Sequence, residues 1–204
     1  MAVETIIKGA SVIGFDLDGT LFTSYTTQPV PGIARSLSQL PGLGIQQLFI
    51  ATNQSGPVWR KMLRKKKFPT ELRIAEVLLA AVILLKESSG LPVTLLAATH
   101  PGLNIPGPPF QWEAAARRYA RFLKSELQRR ECPATRIEIS SDVRWRKPEP
   151  EMIEAALNSC KCSPNETIYI GDMPTDEKAA RLVGVRFLYT DAWINFLLGL
   201  PEGK

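Results

Sequence analysis

The residues best suited to chemistry in this chain are two aspartates at the end of an apolar run, in Val12-Ile13-Gly14-Phe15-Asp16-Leu17-Asp18-Gly19-Thr20-Leu21-Phe22. The first four read as a strand buried on both faces of a parallel sheet. Ionised groups are seldom buried without a partner or a metal, so Asp16 and Asp18 belong where the strand emerges, beside something cationic. Paired carboxylates in such a place can act as nucleophile and general acid/base, or hold a hard cation.

Two further polar groups follow apolar runs in the same way. Thr52, Asn53 and Gln54 follow Leu48-Phe49-Ile50-Ala51, and Asp172 and Asp176 follow Ile168-Tyr169-Ile170-Gly171. Three carboxylates on one rim repel each other unless a hard cation and a lysine hold them, and oxygen ligands of this kind suit magnesium. Arg144-Trp145-Arg146-Lys147-Pro148-Glu149-Pro150 supplies Lys147, its two prolines restricting the turn before a helix. A Thr52 hydroxyl and nearby backbone N–H groups would complete a site for a tetrahedral dianion. Taken singly, these stretches read as a turn, a helix cap and a surface turn. Their shared position at the ends of expected strands favours catalysis.

The elements that must position these residues alternate along the chain. Strands are expected at Val12–Phe15, Gln47–Ala51, Val93–Ala98, Arg136–Ile139, Thr167–Ile170 and Val185–Tyr189. Helices are expected at Gly32–Leu40, Glu71–Glu87, Trp112–Arg130, Glu151–Ser159 and Thr175–Val183, with Thr70 capping the second. This alternation implies βαβ units and a mainly parallel sheet, an α/β three-layer, Rossmann-like sandwich. Ligands of such sheets gather beyond the carboxyl ends of the strands, where all three polar groups fall. Pro101–Pro109, with four prolines and two glycines, is expected to be a loop.

The 204 residues, 45% of them hydrophobic, suffice for one globular domain over 1–204, with room for a small insertion around 101–136. The apolar stretches Val77–Leu85 and Ile194–Leu200 fall short of the roughly 20 residues needed to span a bilayer. With no signal-like opening and three unscaffolded cysteines, the expectation is a soluble, cytoplasmic protein. Cys160-Lys161-Cys162 could open a zinc site, but one histidine, His100, and no second close cysteine pair leave its ligand set incomplete. The net charge of +5 favours an anionic partner, and much of it is local. Arg60, Lys61, Arg64, Lys65, Lys66 and Lys67 crowd into one stretch expected to hang over the rim as a loop, with Trp59 free to stack on a base. The same charges could equally be a solvated surface.

Phe15-Asp16-Leu17-Asp18-Gly19-Thr20-Leu21, Thr52, Lys147 and Gly171-Asp172 through Asp176, in that order, resemble the four motifs of the haloacid dehalogenase-like (HAD) hydrolases, specifically their phosphatases. The resemblance runs from Val12 to about Tyr189. It implies that Asp16 attacks phosphorus, that Asp18 protonates the leaving oxygen and then activates water, and that Lys147 steadies the developing charge. It also implies magnesium on Asp16, Asp172 and the backbone carbonyl of Asp18, with Asp176 orienting Lys147 or a water. Members that cleave carbon–halogen bonds lack the second aspartate and ion-pumping ATPases carry threonine there, so Asp18 points to phosphomonoester or phosphomutase chemistry.

The 36 residues from Asp16 to Thr52 leave no room for a large cap domain, which suits a phosphate on a large or extended molecule. Thr52-Asn53-Gln54-Ser55-Gly56 and Arg146-Lys147-Pro148-Glu149-Pro150 are similar to a subgroup holding polynucleotide 3'-phosphatases, histidinol-phosphatases and heptose-bisphosphate phosphatases. The latter two often carry a Cys/His zinc loop where this chain has Val143, Arg144, Trp145 and Arg146. A phosphorylated partner follows, with a 3'-phosphorylated nucleic-acid end as the leading class and Thr52, Asn53, Arg60 and Lys61 as its contacts. A small metabolite phosphate is the alternative, and a catalytically silent phosphate- or RNA-binding module a third reading.

Overall fold

The structure, a computed structural model, describes residues 6–199. Six parallel strands form one sheet: β1 (Val12–Phe15), β2 (Gln47–Asn53), β3 (Val93–Ala98), β4 (Arg136–Ser140), β5 (Thr167–Gly171) and β6 (Arg186–Tyr189), ordered β4-β3-β2-β1-β5-β6. The chain winds outward from β1 through β2, β3 and β4, then returns to the other side of β1 for β5 and β6. The order therefore reverses at β1 and β5, which opens a crevice beyond their carboxyl ends.

Helices α1 (Ile33–Leu37), α3 (Glu71–Ser89), α4 (Pro109–Arg129) and α7 (Thr190–Leu198) cover one face, and α5 (Glu151–Cys160) and α6 (Pro174–Val183) the other. The strands feed both layers by alternation. Ile13, Phe15, Leu48 and Ile50 join the first core, while Val12, Phe49, Ala51 and Tyr169 join the second. The strands buried on both faces, β1, β3 and β5, are continuous apolar runs, as a parallel sheet covered on both sides requires. Thr70 caps α3 as expected, accepting from the Arg73 N–H at 3.2 Å.

Some elements depart from expectation. β2 runs two residues further, because Thr52 and Asn53 still pair with Ala97 and Ala98 of β3. The helix expected at Gly32–Leu40 stops at Leu37 and gives way to a 3-10 turn at Leu40–Leu43, whose Pro41 and Gly42 are poor helix formers. A further helix, α2 (Gly56–Leu63), occupies half of the stretch expected to be a basic loop. Its first-turn Pro57 is well tolerated there, and Val58, Trp59, Met62 and Leu63 turn toward the core. Helix α7 is a further element beyond those expected; it takes in residues 194–198 of the apolar stretch Ile194–Leu200, whose last residue lies outside the described residues.

The loop of residues 101–108 is tied to α4 by the Trp112 indole, which donates to the Pro106 carbonyl at 2.8 Å. Helix α4 sends Trp112, Tyr119 and Leu123 into the first core. No helix among the described residues is long and apolar enough to cross a membrane.

Gly14 of β1 links this packing to the site. It lies beside Phe49 of β2, and a Cβ there would overlap the Phe49 ring, which in turn stacks on Tyr169 of β5 at 6.0 Å. Overpacking of a filled core costs roughly 1–3 kcal/mol. Gly14→Ala should therefore lower stability by about that amount in urea unfolding; an unchanged midpoint would mean the ring has room to move.

Candidate active site

Asp16 is the first residue past β1, and its N–H still bonds the Ile170 carbonyl of β5 at 2.9 Å. Its carboxylate meets the ammonium of Lys147, which arrives on the turn before α5 and is 3% exposed. Lys147 Nζ lies 2.6 Å from Asp16 Oδ1, 2.6 Å from Asp176 Oδ1 and 2.8 Å from the Tyr169 hydroxyl. A lysine has three N–H donors, and here each has an acceptor. Tyr169 passes its own proton to the Ala51 carbonyl at 2.6 Å, and Asp176 Oδ2 accepts the Met173 N–H at 3.0 Å. Asn53 fixes the backbone of the lysine: its amide donates to the Lys147 carbonyl at 3.1 Å and accepts the Lys147 N–H at 3.0 Å.

The charges are unbalanced. Burial works against the Lys147 ammonium, yet Asp16, Tyr169 and Asp176 outweigh it and hold the lysine well above its ordinary value. Burial lifts the Asp16 carboxyl to about 7, with Asp176 adding to the rise and Lys147 opposing it. Burial and Asp176 also raise Asp172. One lysine faces three carboxylates.

Oxygens of Asp16, Asp172 and Asp176 lie within 4.8 Å of one another. Asp172 Oδ1 is buried with no hydrogen-bond partner among the described residues, and Gly19 cradles the other oxygen so closely that a Cβ would collide with it. An all-oxygen set with one unpartnered buried atom suits a hard cation, so these residues fit magnesium. The carboxylate of Asp18 stands apart. Its Oδ1 accepts the Tyr25 N–H and its Oδ2 the Gln54 amide, both at 2.7 Å, which turns the carboxylate toward these donors and away from the acidic cluster of Asp16, Asp172 and Asp176.

Thr52 is buried beside this group, its hydroxyl accepting from Gln54 at 3.0 Å. Arg60 and Lys61, expected on a loop over the rim, lie instead on α2. Arg60 spends its guanidinium on the Lys66 and Phe68 carbonyls at 2.5 and 2.7 Å, closing the turn after the helix. Lys61 is exposed. Trp59 packs edge-on against Trp112 at 4.8 Å and stacks with Phe68, so it is not free for a base. Pro69 brings the end of the basic stretch back against Gly56, leaving Arg64, Lys65, Lys66 and Lys67 exposed.

Three contributors carried no role in the sequence. Tyr169 sits at an ordinary core position of a strand and gives no signal. Gln54 directly follows Thr52 and Asn53. Arg146 is the neighbour of Lys147; it bonds the Ser55 hydroxyl at 3.2 Å and, among the described residues, forms no ion pair. Burial pulls its pKa down, with Tyr25 opposing. It lines a 630 Å³ groove bordered by residues 101–104 on one side and by residues 143, 144 and 147–149 on the other.

Residues 132–190 match the model of the family described as Haloacid dehalogenase-like hydrolase. No curated protein matches the chain. Among solved structures the chain is similar to a candidate HAD-like phosphatase from Mesorhizobium loti, with 19% identity over 93% of this chain and 85% of that one and a TM-score of 0.55. It is also similar to a D,D-heptose 1,7-bisphosphate phosphatase from B. bronchiseptica complexed with magnesium and phosphate (16% identity, 95% and 90% covered, TM-score 0.44). A third similarity is to a 4-nitrophenylphosphatase from Thermotoga maritima (16%, 90% and 87%, 0.42). At 19% identity the likeness to the Mesorhizobium loti protein is one of fold.

If the acidic cluster holds magnesium, saturating ion should stabilise the folded chain, by about 2.7 kcal/mol at a hundredfold excess over Kd. Thermal melts should show the gain in the wild type and its loss in Asp172→Asn. An equal gain in both would place the cation elsewhere.

Proposed function

We propose that this chain is a magnesium-dependent phosphomonoester hydrolase that works through an aspartyl-phosphate on Asp16. The observation that carries the reading is the buried Lys147 bonded to both Asp16 and Asp176 at the crevice between β1 and β5, with the unpartnered Asp172 oxygen alongside. The family match over residues 132–190 and the fold shared with the Mesorhizobium loti protein agree with it.

In this reading Lys147 fixes Asp16 Oδ1, so that Oδ2 is presented to phosphorus. Thr52 and nearby backbone N–H groups hold the phosphate oxygens, and Lys147 offsets the charge that builds on them. Asp18 gives a proton to the departing oxygen and then takes one from the water that hydrolyses the acyl phosphate. Asp176 keeps Lys147 in place. When bound by Asp16, Asp172 and the Asp18 carbonyl, magnesium would offset the charge shared by carboxylates and phosphate.

For the substrate, a 3'-phosphorylated nucleic-acid end draws support from the exposed Arg64, Lys65, Lys66 and Lys67, and from an Arg146 guanidinium on the groove wall with no carboxylate partner among the described residues. A small phosphate ester draws support from the packed Trp59 and the committed Arg60, which remove two of the expected nucleic-acid contacts.

One set of assays tests the reaction and separates these substrates. Asp16→Asn should abolish hydrolysis of both a small aryl phosphate and a 3'-phosphorylated oligonucleotide, because an amide is a poor nucleophile. Reversing Lys65, Lys66 and Lys67 to glutamate should slow the oligonucleotide by at least about tenfold at low salt, equivalent to about 1.4 kcal/mol, and spare the aryl ester. Full activity of Asp16→Asn would remove the covalent mechanism. An oligonucleotide rate unmoved by charge reversal would leave the small ester.

A further inference from the structure

Gln54 is 1% exposed and bonds two groups that the proposed reaction needs, Asp18 and Thr52. Its amide nitrogen has two hydrogens and spends both: one on Asp18 Oδ2 at 2.7 Å, the other on the Thr52 hydroxyl oxygen at 3.0 Å. Its carbonyl oxygen is buried and, among the described residues, has no partner. The orientation is dictated by chemistry, since a carboxylate offers no proton and only the nitrogen end can face it. A buried glutamine that leaves one end unpaired to keep the other end on two neighbours is unusual, because buried polar groups are ordinarily satisfied.

The two bonds have distinct consequences. Once Thr52 accepts from Gln54, its own proton has to point elsewhere, and the phosphate site is where an acceptor would arrive. Asp18 is gripped from two sides, and the two grips differ. Gln54 is buried at the end of β2, whereas the Tyr25 N–H that holds Oδ1 comes from an exposed turn closed by the Thr23 N–H to Gln28 carbonyl bond. Gln54 thus keeps Oδ2 occupied, and Oδ1 is the oxygen that can be released.

We infer that Gln54 is a positioning residue that assigns the two oxygens of Asp18 their roles and aims the Thr52 hydroxyl at the phosphate. The inference rests on the phosphatase reading above. In the first step the Asp16 Oδ2–phosphorus bond forms and the bond from phosphorus to the leaving oxygen breaks. The proton on Asp18 Oδ1 moves to that oxygen, leaving Asp18 as a carboxylate held by Gln54. Without the amide, Asp18 would still be present but free to rotate away from the leaving oxygen.

The test compares two esters on one preparation. 2,4-Dinitrophenyl phosphate expels a stable phenolate that needs no proton, whereas an alkyl phosphate depends on the acid. The value of kcat/KM covers the steps through leaving-group departure, so later hydrolysis of the intermediate does not obscure it. In Gln54→Met and Gln54→Leu, the ratio of kcat/KM for the dinitrophenyl ester over the alkyl ester should rise by at least about tenfold, at the low end of what a general acid contributes. A ratio does not depend on how much of the preparation is folded, and loss of the Thr52 contact weakens both esters alike. A smaller rise in both variants would overturn the positioning role and leave the phosphatase reading standing. A wild type that hydrolyses neither ester would overturn both.

Discussion

Everything at the rim depends on one buried ammonium. Lys147 is almost wholly out of water, a place where an unpaired charge costs about 3–5 kcal/mol, a large share of the roughly 5–15 kcal/mol that a domain has in total. It is tolerable because each of its three protons meets an acceptor, and those acceptors come from the residue after β1, from β5 and from the first turn of α6. The same arrangement makes the carboxylates tolerable in return. Lys147 offsets part of the cost of holding Asp16 and Asp176 in one crevice, although burial still lifts Asp16 to about 7.

The parallel sheet is what makes such a meeting possible. Strand order reverses at β1 and β5, so the residues that follow these two neighbours converge without any strand having to bend. Gly14, Phe49 and Tyr169 form a packed column across β1, β2 and β5, and the hydroxyl at its end both receives from Lys147 and donates to the Ala51 carbonyl. A core position thereby becomes part of the electrostatics of the site. Asn53 performs the equivalent task on the backbone, joining the end of β2 to the Lys147 turn.

The central strands were legible in the sequence because doubly buried strands are continuous apolar runs, and the aspartates stood out through their shared place at strand ends, since each alone reads as a turn or a helix cap. Lys147 was legible through its flanking prolines. What was hidden has physical reasons. Trp59 and Arg60 sit in a run of cations that reads as solvent-exposed, yet Trp59 packs on Trp112 and Arg60 turns back onto two carbonyls, contacts made by residues distant in sequence or by local geometry that composition does not encode. Tyr169 follows the alternation of its strand, so nothing marks its hydroxyl as different from a core ring. The role of Gln54 depends on two acceptors, one of them 36 residues away, and appears only once β1 and β2 are side by side.

The central claim is that Asp16 itself becomes phosphorylated. The most direct measurement is acid quench of the enzyme during turnover of a phosphate ester, followed by peptide mapping by mass spectrometry. A phosphoryl group on the peptide carrying Asp16, formed within one turnover and lost at the rate of hydrolysis, is the result predicted. Turnover with no phosphorylated peptide at any quench time, or with the group on another residue, would contradict it.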